Sequence, residues 1–169
     1  MADFSENYTF IVQDEAQGHH WVNRQATIHP FVYYLKKDGK VKSQCFCVIS
    51  DTLEHNTATV HYFQQHLVNH INENHPHIKK FIYFSDGAAS QYKNKKNFIN
   101  LCHHKTDFNL EAEWHFFALC HGKNACDCVG STTKQSKSPA TLLNQILMPA
   151  EMFEFCQKHL KGIIFLYKR

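Results

Sequence analysis

Three aspartates occupy positions from which carboxylates could act together on a phosphodiester. Asp3 lies at the start of the sequence, Asp86 follows the apolar segment 80–85, and Asp127 comes after the aromatic segment 113–120. Carboxylate oxygens are hard ligands that suit Mg²⁺ or Mn²⁺. Two such ions, held close together, activate a water and stabilise the leaving oxygen of a phosphodiester. The pattern predicts a two-metal site with Asp3, Asp86 and Asp127 as its catalytic and metal-binding residues.

A structural role is the alternative for each aspartate taken singly. Asp86 precedes Gly87, so its side chain could simply favour a turn. Asp127 falls where a helix is expected to begin, and a carboxylate there complements the helix dipole. The glycine and the small residues after Asp86 also leave room for a ligand. Both interpretations stay open at this stage.

Basic side chains lie close in sequence to two of the three aspartates. The residues expected to contact nucleic acid are His121 and Lys123, which precede Asp127, and Lys93, Lys95 and Lys96, which follow Asp86. A groove that follows a phosphate backbone combines lysines with aromatic side chains, and Tyr92 adjoins this lysine cluster. Solvated lysines on a helix and in a loop are the alternative interpretation.

Cysteine and histidine offer two further kinds of site. Cys120-His121 with Cys126 and Cys128, or Cys102-His103-His104, could supply sulfur and imidazole to zinc. The spacing is irregular and no Cys-x-x-Cys pair occurs, so buried thiols are favoured over a zinc-stabilised interaction module. A nucleophilic cysteine, Cys120 or Cys126 beside His121, is another alternative, although nothing in the sequence indicates an activated thiol.

The composition sets the broad class of protein. A chain of 169 residues is the size of one domain, which we expect to span residues 1–169 either as the whole protein or as part of a longer one. The net charge of +3 permits a polyanionic partner without requiring one. No apolar run approaches the roughly 20 residues that cross a bilayer. The first residues also lack the order of a secretory signal. We therefore expect a soluble protein that is not secreted and has reduced cysteines.

The order of elements predicts a mixed sheet with flanking helices. A hairpin is expected from strands 26–35 and 41–50, because Asp38-Gly39 lies between them. Apolar residues at helical spacing predict a helix over Thr57–Asn74, capped by Asn56 or Thr57. The remaining expected elements are a buried strand at 80–85, a helix at 91–103, a strand at 113–120, helices from 125, at 140–147 and at 149–161, and a strand or frayed end at 163–167. Parallel strands joined by helices place working residues at the carboxyl ends of the strands.

Several segments resemble a group of uncharacterised animal proteins related to transposable elements. These are Asp3 to Tyr8, Gln13 to Trp21, Gln25 to Pro30, Ser85 to Lys93 and His121 to Asp127. The group is similar to the DDE-type transposases, whose catalytic core is ribonuclease-H-like. The resemblance covers most of the chain.

The resemblance implies an α/β fold of ribonuclease-H-like type, in which the first acidic residue lies on the first strand. Because only Met1 and Ala2 precede Asp3, that strand is expected to be truncated. Asp3, Asp86 and Asp127 match the three acidic positions, with Glu6 as a reserve ligand. Two Mg²⁺ or Mn²⁺ ions and a DNA substrate follow as expectations, with cleavage or strand transfer as the reaction.

The DNA substrate in turn implies residence in the nucleus, with the cytoplasm as the alternative. The rival to an enzyme is a non-catalytic, domesticated or decaying remnant that binds nucleic acid or protein.

Overall fold

The computed structural model describes residues 1–10, 24–117, 125–135 and 146–169, which form a mixed α/β protein. The described residues group into two compact units. The hairpin unit comprises residues 3–10, 24–53, 125–135 and 146–169, and the parallel unit comprises residues 1–2 and 54–117. The mixed α/β class expected from the sequence is confirmed, and the single domain over residues 1–169 stays a prediction.

The described residues contain six strands and four helices. In chain order these are β1 (Tyr8–Thr9), β2 (Gln25–Lys37), β3 (Lys40–Ser50), α1 (Thr57–Asn74), β4 (Lys80–Ser85), α2 (Lys95–Phe108), β5 (Glu111–Phe116), α3 (Ala125–Gln135), α4 (Pro149–His159) and β6 (Ile163–Lys168). The first sheet has the order β1-β2-β3-β6 and belongs to the hairpin unit, while β4 and β5 pair in the parallel unit. Within the described residues, no helix is both long and apolar enough to cross a lipid bilayer.

The hairpin of β2 and β3 forms as its turn sequence predicts. Asp38 and Gly39 have φ angles of 52° and 75°. Positive φ at both central residues is typical of a type I′ turn, whose twist matches that of the two strands. On its other edge β3 pairs with β6 in parallel, so the sheet is mixed. Residues 26–33 of β2 are buried without alternation, which indicates that both faces of the sheet are covered there.

The N-terminal segment runs along β2 from Asp3 onward. The backbone N–H groups of Asp3 and Ser5 donate hydrogen bonds to carbonyl oxygens of β2 at 3.5 Å and 3.0 Å. Ser5 bonds to Ile28, whereas Tyr8 is opposite Ala26. The N-terminal segment therefore has one residue more than β2 over this stretch, as in a β-bulge. Regular strand is limited to the two residues of β1, but pairing with β2 already begins before it.

Two helices complete the hairpin unit. α3 packs on β2 and β3, and α4 packs on β3 and β6. At the start of α4, the Glu151 carboxylate accepts hydrogen bonds from the N–H groups of Leu147 and Met148 at 2.8 Å and 3.2 Å. The core consists of buried apolar side chains from strands and helices, among them Ile28, Phe31, Phe46, Val48, Ile49, Val129, Met152, Cys156 and Phe165.

In the parallel unit, α1 has the bounds that the sequence predicts. The Asn56 side chain caps it by accepting a hydrogen bond from the N–H of Thr59 at 3.0 Å. Its buried apolar side chains lie at helical spacing and are Val60, Phe63, Leu67, Val68 and Ile71. Burial of this one face, rather than the helix propensity of the sequence, supplies most of the stabilisation of such a helix.

The strands β4 and β5 are parallel neighbours connected through α2. In β4, Tyr83 and Ser85 are buried while Ile82 and Phe84 are 53% and 38% exposed. The sequence predicts a short buried strand here, and the structure shows a half-buried one. The reason is that β4 is apolar on both faces, so its composition hides the alternation that the packing creates.

A histidine and a tyrosine link the core of the parallel unit. His104 Nδ1 lies 2.8 Å from the carbonyl oxygen of Leu110, and its Nε2 lies 2.9 Å from the Tyr83 hydroxyl. Since a carbonyl only accepts, Nδ1 carries the proton and Nε2 accepts from the Tyr83 O–H. Burial lowers the pKa of His104 and raises that of Tyr83. The pair is therefore a neutral, satisfied hydrogen-bonded link.

Some expected boundaries differ from the structure. α2 begins at Lys95 rather than near residue 91, because Asn94 caps it and Tyr92 is buried in the core. β5 is Glu111–Phe116, so it begins before the expected residue 113, and residues 118–120 of the expected strand lie outside the described residues. Residues 163–167, for which the sequence predicts either a strand or a frayed end, belong to β6. Residues 140–145 of the helix expected at 140–147 lie outside the described residues.

Candidate functional site

Asp86 lies directly beyond the carboxyl end of β4, as the sequence predicts. Its Oδ1 accepts a hydrogen bond from the N–H of Ala88 at 3.1 Å, which closes a local turn. The Ser85 hydroxyl donates to the Asp86 carbonyl at 3.0 Å and accepts from the indole N–H of Trp114 at 2.9 Å. These bonds hold the half-buried Asp86 in place at the end of a parallel strand.

The surface beside Asp86 is open at Gly87. Within the part of the chain that the structure describes, a Cβ added to Gly87 would meet only the Lys93 side chain, at the ordinary contact distance of 3.9 Å. Gly87 also has no positive φ. Among the described residues, neither packing nor backbone conformation therefore requires glycine at position 87.

Asp3 and Asp127 both raise the pKa of one buried thiol in the hairpin unit, that of Cys126. Cys126, in the first turn of α3, has no solvent exposure. Burial raises its pKa to about 12, and the negative charges of Asp3 and Asp127 contribute to the increase. The carboxylates of Asp3 and Asp127 therefore both lie within electrostatic range of Cys126. Asp127 is exposed in the first turn of α3, where a negative charge also favours the helix dipole.

A glycine lets α3 approach the segment that carries Asp3. A Cβ added to Gly130 would lie 2.9 Å from Ser5 Oγ and 3.1 Å from Ser5 Cβ. Any larger residue would push α3 away from the N-terminal segment, so Gly130 and Ser5 position Asp3 and Asp127 relative to each other. Sequence reasoning missed this pair. The available signal was an isolated glycine inside a helix, which often has a packing reason.

The reserve ligand Glu6 is exposed and faces a different partner. Burial lowers the pKa of Lys134 in α3, and the negative charge of Glu6 opposes that shift. Glu6 therefore interacts electrostatically with Lys134, which is near the carboxyl end of α3.

The proposed metal ligands fit Mg²⁺ or Mn²⁺ by their chemistry, since all three are carboxylates. Asp86 belongs to the parallel unit, and Asp3 and Asp127 belong to the hairpin unit. Across residues 1–10, 24–117, 125–135 and 146–169, no three His, Cys, Asp or Glu side chains are grouped so that they could hold a metal ion. No coordination geometry follows from the structure, and the two-metal site stays a prediction.

The lysines expected to contact nucleic acid lie on the surface of the parallel unit. Lys95 and Lys96 are exposed in the first turn of α2, and exposed Lys93 has its Nζ 5.5 Å from the centroid of the Phe116 ring. Tyr92 is fully buried, so it packs in the core and offers no stacking surface. His121 and Lys123 lie outside the described residues.

The described cysteines give little support to a zinc site or to a nucleophilic thiol. Cys102 and His103 are exposed, whereas His104 is buried and hydrogen bonded in the core, so these three side chains do not share one site. The raised pKa and complete burial of Cys126 are the opposite of what a nucleophilic thiol needs. Cys120 and His121 lie outside the described residues.

The fold and the candidate site define a mixed α/β protein with an aspartate at the carboxyl end of a parallel strand. The family described as Domain of unknown function (DUF8701) matches residues 1–169, and the chain belongs to that family. No curated protein and no solved structure matches the chain.

Proposed function

We propose that the chain is a transposase-derived domain of ribonuclease-H-like type that cleaves DNA phosphodiesters or transfers DNA strands with the help of metal ions. The observation that carries the proposal is the position of Asp86, directly after β4. This strand pairs in parallel with β5, and α2 connects the two strands. In open α/β sheets ligands bind outside the carboxyl ends of the strands. Asp86 is thus where a catalytic carboxylate is expected.

The order of the elements supports the ribonuclease-H-like part of the proposal. An antiparallel hairpin is followed by a helix, and then by parallel strands that alternate with helices. Asp3 lies before β1, on the segment that runs along β2, and in this proposal that segment stands for the first strand. The sequence-based resemblance to DDE-type transposases points to the same fold.

In this proposal, Asp3, Asp86 and Asp127 are the ligands of two Mg²⁺ or Mn²⁺ ions. When bound, these ions lower the pKa of a water or DNA 3′-hydroxyl and stabilise the leaving oxygen. The DNA backbone is contacted by Lys93, Lys95 and Lys96, together with His121 and Lys123. DNA as the substrate implies action in the nucleus.

Substituting Asp86 by asparagine tests the catalytic role without removing the turn. The amide oxygen of asparagine can still accept the hydrogen bond from the N–H of Ala88. The substitution removes only the charge that a metal ion requires. We expect Asp86→Asn to reduce Mn²⁺-dependent nicking of a supercoiled plasmid to background, with the circular dichroism spectrum unchanged.

Asp38→Asn is the matched control, because Asp38 is an exposed turn residue whose φ of 52° asparagine also tolerates. This variant should nick the plasmid at the wild-type rate. Nicking by Asp86→Asn at the wild-type rate would contradict the assignment, as would an equal loss in both variants.

A non-catalytic remnant that binds nucleic acid or protein is the second candidate. The observation in its favour is that two of the aspartates already have local structural roles, Asp86 in its turn and Asp127 in the first turn of α3. Calorimetric titration with Mn²⁺ separates the two candidates. Binding that is lost in variants of Asp3, Asp86 and Asp127 supports the enzyme, and absence of binding to the wild-type protein supports the remnant.

A further inference from the structure

The end of the β2–β3 hairpin extends beyond the strands that flank it. Residues 34–37 pair with residues 40–43 in a regular antiparallel ladder. β6 pairs with β3 only from Cys45 onward, and the N-terminal segment bonds to β2 only as far as Pro30. In the part of the chain that the structure describes, residues 34–43 therefore form a two-stranded ribbon without a third strand. We call this element the basic ribbon.

The basic ribbon is exposed on both of its faces. Every residue from 34 to 43 is exposed except Leu35, which is half-buried, whereas residues 26–33 and 46–50 of the same two strands are buried. Tyr34 is 51% exposed and Val41 is 69% exposed. A two-stranded hairpin without a covered apolar face is only marginally stable by itself. The side chains of the ribbon are thus left available to a partner and are not used in the core.

The ribbon carries as much net positive charge as the whole chain. It contains four lysines, at positions 36, 37, 40 and 42, and one acidic residue, Asp38 in the turn, so its formal charge is +3. The whole chain has 18 basic and 15 acidic side chains, which also gives +3. The remainder is therefore balanced, with 14 basic and 14 acidic side chains. The excess positive charge is concentrated in one projecting element.

Three of these lysines share one face of the ribbon. Lys37 is opposite Lys40, and Leu35 is opposite Lys42, and these two pairs lie on the same side of the ladder. Like charges directly opposite each other destabilise a sheet. Within the described residues, none of the three lysines forms a salt bridge. The fold gains no stability from this lysine face, whereas an anion bound to it would relieve the repulsion.

We propose that the basic ribbon binds the phosphate backbone of double-helical DNA, in addition to the lysines of the proposed catalytic site. A duplex carries one negative charge for about every 1.7 Å of its axis, and lysines that neutralise phosphates gain affinity by releasing counterions. The major groove, about 12 Å wide, admits a two-stranded β-ribbon. The choice of DNA among polyanions rests on the proposed function, but binding through the ribbon requires none of the three aspartates.

A duplex fits the ribbon better than a single strand does. Proteins that bind single strands stack successive bases on several aromatic side chains. Tyr34 is the one aromatic residue in the sequence of the ribbon, so a series of stacked bases has no platform there. A duplex backbone requires only positive charge in a shape that reaches the phosphates.

The test compares a ribbon variant with a charge-matched control in buffer containing EDTA. The ribbon variant replaces the lysine face with glutamine (Lys37→Gln, Lys40→Gln and Lys42→Gln). The control removes three exposed charges outside the ribbon (Arg24→Gln, Lys79→Gln and Arg169→Gln). Arg24 precedes β2 and Arg169 follows β6, at the ends of these strands that lie away from the ribbon. Fluorescence anisotropy measures the affinity for a short fluorescein-labelled duplex, and for one of its strands alone, at several salt concentrations.

The ribbon variant should bind the duplex on the order of tenfold to a hundredfold more weakly, since each exposed ion pair contributes up to about fivefold. The slope of log K against log salt should fall by about 0.9 for each phosphate contact that is lost. The control should stay close to the wild-type affinity. The wild-type protein should bind the duplex more tightly than the single strand.

Lys40→Glu separates a binding role from a role in folding. This substitution places a carboxylate opposite Lys37, so a repulsive cross-strand pair becomes an attractive one. The urea concentration at the midpoint of denaturation should therefore rise, while the affinity for the duplex falls. A fall in both quantities would show that the lysine serves the fold, and the proposal would fail.

Three further results overturn the proposal. They are the absence of duplex binding by the wild-type protein, an equal affinity of the ribbon variant and the control, and tighter binding of the single strand than of the duplex. Asp86→Asn should bind the duplex like the wild-type protein in EDTA, so the nicking assay and the binding assay can fail separately. Nicking is measured with protein in excess, so that Asp38→Asn, whose side chain is not a DNA contact in this proposal, reports the chemical step.

Discussion

Replacing Gly130 with alanine should destabilise the protein, although the same change in an uncrowded helix is stabilising. Alanine is favoured over glycine inside a helix by about 0.8–1.0 kcal/mol. At Gly130, however, the new Cβ would lie 2.9 Å from Ser5 Oγ and 3.1 Å from Ser5 Cβ. Rotation about the Ser5 side-chain bond moves Oγ away but leaves Cβ in place. The Ser5 backbone is itself hydrogen bonded to Ile28 at 3.0 Å, so relief requires a shift of α3 or of the N-terminal segment.

The expected magnitude follows from these two opposing effects. Inserting an extra methyl group into a packed contact typically costs about 1–3 kcal/mol. After subtraction of the helix preference, Gly130→Ala should lower the free energy of unfolding by up to about 2 kcal/mol. In a Ser5→Gly background the obstructing atoms are absent, and the same substitution should raise it by up to about 1 kcal/mol.

Urea denaturation of the four proteins of this double-mutant cycle measures the coupling between Ser5 and Gly130. Gly87→Ala serves as the control, because among the described residues its Cβ would meet the Lys93 side chain alone, at the ordinary contact distance of 3.9 Å. The reversal of sign between the two backgrounds is the decisive result. If Gly130→Ala has the same effect with serine or glycine at position 5, then α3 does not pack on the N-terminal segment and the positioning of Asp3 and Asp127 by this contact is refuted.

Two further predictions concern buried groups. Burial lowers the pKa of His104 in the folded protein. The stability that neutral His104 provides is therefore fully present above the unfolded pKa of about 6.5. It declines as the pH falls below that value, by at most about 1.4 kcal/mol per pH unit. Urea denaturation at pH 7.5 and 5.5 should show this loss of unfolding free energy for the wild-type protein and for a variant of exposed His103. The loss should be smaller for His104→Gln. Equal losses in all three proteins would contradict the prediction. Burial raises the pKa of Cys126 to about 12. Iodoacetamide at pH 8 should therefore alkylate exposed Cys102 and Cys128 in the native protein and leave Cys126 unmodified. Mass spectrometry of peptides detects which thiols are alkylated. Modification of Cys126 at the rate of the exposed thiols would show that its position in α3 is not protected.

Asp86 is the site residue for which the sequence was most informative. The apolar run before it predicts a strand, and Gly87 after it predicts a change of direction, so its position at the end of β4 follows from neighbouring residues alone. The relative position of Asp3 and Asp127 does not follow from neighbouring residues in this way. It depends on the contact of Gly130 with Ser5, which are far apart in the sequence, and no local pattern encodes that contact.

The contact between the starts of α1 and α2 illustrates the same limit. The sequence indicates a basic cluster, yet it also predicts that α2 begins near residue 91. Tyr92 is instead buried, and Asn94 bonds to Thr57 across 37 residues of sequence. This long-range bond joins the starts of α1 and α2, so the proximity of Lys95 and Lys96 to the start of α1 could not be predicted from spacing.

The sequence by itself determined the elements whose signals are local. The turn at Asp38-Gly39 needs two residues that tolerate positive φ, and α1 needs one apolar face and the Asn56 cap. Tertiary structure alone decided the parallel pairing of β6 with β3, the burial of Cys126, and the one-sided exposure of β4. These features depend on contacts between distant segments, and their free energy comes from burial and close packing that appear only once the chain has folded.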